Sequence, residues 1–188
     1  VMKVDPSIFK AYDIRGVFPT NIDNDLAYQI GLAYAQYLKP NGEILVGEDV
    51  RIHSHELKES LIKGLLDAGV DVVDVGAIST DIYYYGVGKH NLAGGIQVTA
   101  SHNPPEWHGF KMVKAGPAAM TLEDGIGQIR DLIESETLKP SDKKGNLRQI
   151  DLLEEFSDYI LGWLKGTEIK PLKVVINPNF GLAGKIFE

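Results

Sequence analysis

Short runs of β-branched and aliphatic residues alternate along this chain with longer stretches whose apolar residues recur every three or four positions. No other feature constrains the fold as much. Strands alternating with amphipathic helices build α/β layers, in which a mixed, mostly parallel sheet is sandwiched by helices. An extended run from Ile8 to Tyr12 comes first. Buried strands are predicted at Glu43–Gly47, Val70–Val75 and Leu92–Thr99, and Gly109–Lys114 reads as a strand returning antiparallel. The spacing predicts a helix from Asn24 to Leu38, with Leu26, Ile30, Ala33 and Tyr37 on one face. A second is expected from Ser54 as N-cap to Gly69, carrying Leu57, Leu61, Ile62, Leu65 and Leu66. Ser79 or Thr80 opens a third through Tyr83–Tyr85. Thr121-Leu122-Glu123-Asp124 resembles a capping box for a fourth, with Ile126, Ile129 and Ile133 inward.

The pattern also divides the chain. Lys139–Asn146 is polar and broken by Pro140 and Gly145, the composition of a linker. An amphipathic helix follows, with Leu152, Leu153, Phe156, Tyr159, Ile160, Trp163 and Leu164. Leu172–Ile176 reads as one more buried strand, leading through Asn177-Pro178-Asn179-Phe180-Gly181 into a helix start. The expected organisation is a first α/β domain over 1–140, a linker and connecting helix over 141–170, and the first strand of a second α/β domain over 171–188.

Composition removes whole classes of function. The 188 residues contain no cysteine, so disulfides, zinc–thiolate sites and thiol nucleophiles are excluded. The 26 acidic residues outnumber the 19 Lys and Arg, a net charge of −7. That balance argues against a general nucleic-acid binder, which neutralises phosphates with basic side chains. No apolar run approaches the ~18 residues of a membrane span, and the first ten residues lack the apolar core of a signal peptide. A soluble, cytoplasmic protein is expected.

The chemistry concentrates in Thr99-Ala100-Ser101-His102-Asn103-Pro104-Pro105 and the following Gly109-Phe110-Lys111. This segment lies at the carboxyl end of a predicted strand, where open α/β sheets place ligands. The prolines stiffen the turn and fix where the Ser101 hydroxyl is presented. His102 can exchange a proton near neutral pH, and Lys111, folded back by the next strand, supplies a positive charge. A hydroxyl, an imidazole and an ammonium together suit phosphoryl transfer, in which positioning and charge neutralisation dominate. Other local patterns carry less. His53-Ser54-His55 reads as a solvated helix start, and Tyr83-Tyr84-Tyr85 as packing. Gly86-Val87-Gly88-Lys89 lacks the spacing of a phosphate loop, and no Gly-x-Ser-x-Gly elbow occurs.

The Thr-Ala-Ser-His-Asn-Pro run with Gly-Phe-Lys resembles the phosphoserine loop of the α-D-phosphohexomutases, on their phosphomannomutase/phosphoglucomutase branch. Phe9-Lys10-Ala11-Tyr12-Asp13-Ile14-Arg15-Gly16 is similar to the family's N-terminal motif. Val46-Gly47-Glu48-Asp49-Val50-Arg51 resembles its second loop, and Val174 to Gly184 the start of its second domain. The likeness covers essentially the whole chain, in the family's order.

The resemblance implies a phosphoserine at Ser101 that exchanges its phosphate with a hexose 1- or 6-phosphate of mannose or glucose. The reaction would run through a hexose 1,6-bisphosphate, which also serves as primer. It further implies catalytic roles for Ser101, His102, Lys111 and Arg15, and substrate contacts from Tyr12, Arg15 and Lys111. Which of His102 and Lys111 is the general base stays open. Mg²⁺ is implied as cofactor, bound here through the phosphate on Ser101. Its other ligands, an Asp-Gly-Asp-Gly-Asp-type loop, are expected in the remainder of the mutase (domains 2–4), so that this chain alone is catalytically incomplete. Glu48 stands where arginine is common and adds negative charge near a phosphate site. Val50 stands for the usual glycine, His108 for an asparagine, Asn177 for an aspartate and Phe180 for an asparagine. Two other readings are a non-catalytic module that binds sugar phosphates or a partner, and a phosphoglucosamine mutase.

Overall fold

The computed structural model describes residues 4–179 and 181–187. Its strands are β1 (Ile14–Val17), β2 (Ile44–Glu48), β3 (Val72–Ala77), β4 (Gly94–Val98), β5 (Trp107–Lys114), β6 (Ala118–Ala119) and β7 (Leu147–Gln149). The helices are α1 (Asn24–Leu38), α2 (Ser54–Asp67), α3 (Thr80–Lys89), α4 (Ile126–Glu134), α5 (Leu153–Gly162) and the short α6 (Ala183–Ile186). The seven strands form one sheet in the order β1-β5-β4-β2-β3-β7, with β6 paired to β5. β2 is parallel to β3 and β4, and β3 to β7, whereas β5 is antiparallel to β1, β4 and β6. Every strand except β5 therefore points the same way.

Helices cover both faces. Alternation along each strand sends Ile44, Val46, Ile96, Phe110 and Met112 towards α1, α2 and α4. Leu45, Val73 and Val113 meet α3, through Tyr83, and α5 on the other side, where Leu152 and Phe156 close the layer. α1 begins at Asp23, whose carboxylate accepts the Leu26 N–H at 2.8 Å. It packs closely on α2 because Gly64 has no side chain. A Cβ there would lie 2.2 Å from the Tyr28 carbonyl oxygen. Two buried tyrosines bond the sheet itself, Tyr34 to the Val113 carbonyl at 2.6 Å and Tyr83 to the Gly95 carbonyl at 2.7 Å. Burial pushes both phenols up.

Several expectations shift. The first strand is not Ile8–Tyr12. Pro6–Ile8 is a 3₁₀ turn capped by the Asp5 carboxylate, and β1 forms four-residue register with β5 further along. Ser54 is the first helical residue of α2 rather than its cap, which is His53. α4 starts at Ile126, because Gly125 adopts φ 121° and its N–H is taken by Gln128 Oε1 at 2.7 Å. The linker region contributes β7, and Leu152 is fully buried, so residues beyond 140 complete the sheet and one of its layers. Leu172–Ile176 is not a strand. No partner lies beside it among the described residues, and Val175 is 95% exposed. A sheet ladder is what satisfies a strand's backbone groups, and without a neighbour apolar β-branched residues do not make one. Phe180 lies outside the described residues.

Candidate active site

β4 ends at Val98 and β5 begins at Trp107, so the loop between them lies at the carboxyl end of β4, beside that of parallel β2. Ser101 is exposed at its tip, with φ 54°. This left-handed conformation is sparsely populated by residues other than glycine and costs roughly 1–3 kcal/mol unless the surroundings impose it. Here they do. The Ser101 N–H donates to Thr99 Oγ1 at 3.0 Å, and the Asn103 N–H to the Ala100 carbonyl at 3.1 Å. The Ser101 hydroxyl lies 3.1 Å from His102 Nδ1. A hydroxyl and an imidazole in direct contact can pass a proton.

The Arg51 side chain reaches this loop from the other side. Its Nη1 donates to the carbonyls of Pro104 at 2.7 Å and Trp107 at 3.1 Å, and Nη2 to those of Ser101 at 3.0 Å and Asn103 at 2.7 Å. Its Nε lies 3.2 Å from Asp49 Oδ2. Asp49 is anchored in turn by the Ser54 hydroxyl at 2.5 Å and the Arg51 N–H at 3.1 Å. Reading residue types alone leaves Arg51 without a role, since its partners are backbone carbonyls that no side-chain pattern reports. Its one signal is a place two residues after an aspartate in the second motif.

Arg15 is nearly buried. Its Nε and Nη2 hold Asp13 Oδ2 at 2.9 Å, and Nη1 donates to the Thr99 carbonyl. It thus braces the chain two residues before Ser101. Gly109 faces Arg15 across β1 and β5. A Cβ at Gly109 would sit 2.0 Å from the Ile14 carbonyl oxygen, so only glycine allows this approach. Lys111 pairs with Gln97 and shares the face of β5 that carries Gly109, hence the face of Arg15. Among the described residues its ammonium has no hydrogen-bond or ion-pair partner. Tyr12 is 67% exposed in the turn closed by the Lys10 N–H on the Asp13 carbonyl. A cavity of about 590 Å³ opens beside the loop, with Asp49, Arg51, Thr99, Ser101 and His102 in its wall.

Glu48 does not bring negative charge to Ser101. It projects to the α2 side, where Lys58 Nζ is 3.0 Å from both Glu48 Oε1 and Asp74 Oδ1. Burial disfavours the Lys58 ammonium, but its hydrogen bonds to Asp74 and Glu48 outweigh that and hold the group above the ordinary lysine range. His55 also reaches Glu48, at 3.1 Å. His53 is less solvated than expected, since its ring stacks on Phe18 with centroids 4.1 Å apart. His108 is fully buried against Phe18 and His53, and neither ring nitrogen has a partner among the described residues. Tyr83 and Tyr85 are packing residues, Tyr85 lying against Phe156 and Tyr159.

Residues 6–139 match the model of phosphoglucomutase/phosphomannomutase, alpha/beta/alpha domain I. A phosphomannomutase of Vibrio cholerae is 39% identical over 184 residues, covering 96% of this chain and 40% of that protein. A phosphomannomutase of Klebsiella pneumoniae is 43% identical over 152 residues, 80% of this chain and 96% of that sequence. The crystal structure of a phosphoglucomutase/phosphomannomutase family protein from Burkholderia thailandensis superposes with a TM-score of 0.78 at 34% identity, covering 85% of this chain and 36% of that one. The chain thus spans about 40% of the length of relatives such as the Vibrio enzyme. With a mixed α/β/α sandwich and the serine loop at the carboxyl end of its sheet, the chain belongs to the phosphoglucomutase/phosphomannomutase family and carries its domain I.

Proposed function

We propose that this domain carries the phosphoserine of a phosphohexomutase, at Ser101, in a protein that interconverts the 1- and 6-phosphates of mannose or glucose. The observation behind this is the presentation of Ser101: an exposed hydroxyl in a left-handed backbone conformation, 3.1 Å from an imidazole, on a loop tied down from two sides. In the forward step a hydroxyl of the hexose phosphate attacks the phosphorus on Ser101. The bond from phosphorus to the serine oxygen breaks as the bond to the sugar oxygen forms. The attacking hydroxyl gives its proton to a base, and the departing serine oxygen takes one up. His102 is within reach of that serine oxygen and serves this second transfer. The bisphosphate then turns over, and the reverse step returns its other phosphate to Ser101. Lys111, unpaired at rest, and the positive edge of Arg15 offset phosphate charge, which for a phosphoserine is about −1.5 to −2.

The Mg²⁺ implied by the family does not fit the residues present. Among the described residues no group of three or more His, Asp or Glu side chains could hold a metal ion, and a phosphate on Ser101 would offer oxygen ligands only on one side of it. None of the helices among the described residues is long and apolar enough to cross a membrane. The test is Ser101→Ala in the protein of full coding length, with phosphopeptide mapping of the unaltered protein. Phosphate on Ser101 and a loss of turnover of about 10³-fold or more are expected. Phosphate on a different residue, with Ser101→Ala still active, would overturn the assignment.

A further inference from the structure

We propose that Arg51 is the positioning residue of the serine loop, fixing where the Ser101 oxygen stands without touching substrate. This rests on the phosphoserine reading above. Its guanidinium is committed to one loop. An arginine side chain carries five N–H donors in one rigid plane; here the two terminal nitrogens donate to four carbonyls of the same loop, and Nε lies in ion-pair contact with Asp49. The four acceptors belong to Ser101, Asn103, Pro104 and Trp107, so the group spans the loop from its tip to the first residue of β5. With its four terminal N–H groups committed to the loop, the fork has none of them left for a phosphate, which separates Arg51 from the charge-supplying role of Lys111.

The bond to the Ser101 carbonyl acts directly on the strained residue. It fixes the peptide plane between Ser101 and His102. In a trans peptide the His102 N–H points opposite to that carbonyl, so it is turned away from the guanidinium. Pro104 and Pro105 cannot donate to a backbone partner and offer the loop no ladder of its own. The arginine replaces that ladder. Asp49 completes the device as the counter-charge beside Nε, while the Ser54 hydroxyl ties Asp49 to the first turn of α2. Lysine in this place would bring a charge of the same sign but only three donors from a single atom, and could not bridge carbonyls at both ends of the loop.

A displacement of about 1 Å at a reacting group costs on the order of 100-fold in rate. In the protein of full coding length, Arg51→Ala and Arg51→Lys should therefore each lower kcat by about 100-fold while KM for hexose 1-phosphate stays within about threefold. Added guanidinium ion should restore about tenfold of the loss in Arg51→Ala and none in Arg51→Lys, because only the former leaves a hole of the right shape and charge. Hydrogen exchange on the 188-residue chain gives an independent reading. Amides of the non-proline residues in 101–108 should exchange faster in Arg51→Lys, while those of β2 and α1 stay protected. Unchanged loop exchange overturns the proposal whatever Ser101 does. So does a rise in KM with kcat preserved, which would make Arg51 a substrate contact. Failure of the phosphoserine reading looks different: Ser101→Ala would keep its activity while the loop still loosened in Arg51→Lys.

Discussion

Two neighbouring carboxylates, Glu48 and Asp49, go to opposite ends of the molecule's work. Glu48, the last residue of β2, turns into the layer beneath α2, and with Asp74 encloses Lys58, whose side chain is 4% exposed. Asp49 turns to the surface and orients Arg51, which holds nothing but the serine loop. Both clusters centre on one cation, yet their partners differ. Lys58 meets two charged acceptors on two strands, so it ties secondary structure together. Arg51 meets four neutral carbonyls of one loop, so it sets a local shape. What a paired cation does follows from the acceptors around it, not from its charge.

That division can be broken by replacing each cation. Lys58→Met keeps most of the volume but strands two buried carboxylates, and removing one member of a buried ionic group costs about 3–5 kcal/mol. Urea unfolding of the chain should show a lower midpoint at an unchanged slope. Arg51→Lys should cost the fold far less, about 1 kcal/mol, because its lost bonds are to carbonyls that water can reach. If Arg51→Lys destabilises the chain as much as Lys58→Met, the contrast between a structural and a positioning cation is wrong.

A third polar group sharpens the same contrast by having no partner of either kind. His108 is fully buried against Phe18 and His53, and burial holds its pKa below the usual 6.5. Asp49 and Glu56 oppose that effect, while His53 and Arg51 add to it. The folded protein therefore binds the His108 proton less readily than the unfolded chain. The neutral ring's contribution is intact above about pH 6.5 and is lost as pH falls from there through the folded-state pKa. For a single proton the slope is at most about 1.4 kcal/mol per pH unit. His108→Asn should flatten the stability profile below pH 6.5 relative to the parent. Parallel profiles in parent and variant would show that His108 is not the group responsible.

The same comparison explains what could be read from the residues alone. α1 was legible from Asn24 to Leu38, because Leu26, Ile30, Ala33 and Tyr37 keep helical spacing along it. The serine loop was legible because prolines and a strand end confine it. Arg51 was not, since carbonyl acceptors belong to every residue and mark none. Nor was the Lys58 network, whose members lie on β2, β3 and α2 and meet only through the sheet's register. β7 escaped notice for a related reason: Leu147, Arg148 and Gln149 are all exposed and show no alternation, and pairing with β3 alone makes them a strand. The roles of Ser101, His102, Lys111, Arg15 and Tyr12 came from family likeness rather than from spacing.

Leu172–Ile176 fails in the opposite direction and yields the smallest predicted effect. Its residues are as apolar and β-branched as those of β2, yet β2 is buried along its whole length and this segment is not a strand. In β2 both neighbours are present, so Leu45 is fully enclosed. At Val175, 95% exposed, a side chain displaces almost no water from apolar surface. Val175→Asp in the 188-residue chain should therefore change its stability by no more than about 0.5 kcal/mol, as for exposed substitutions elsewhere. The same urea titration decides the point. A loss comparable to that of Lys58→Met would mean the segment packs against the domain in solution, and that apolar composition alone had built an interface which the sheet's neighbours do not supply.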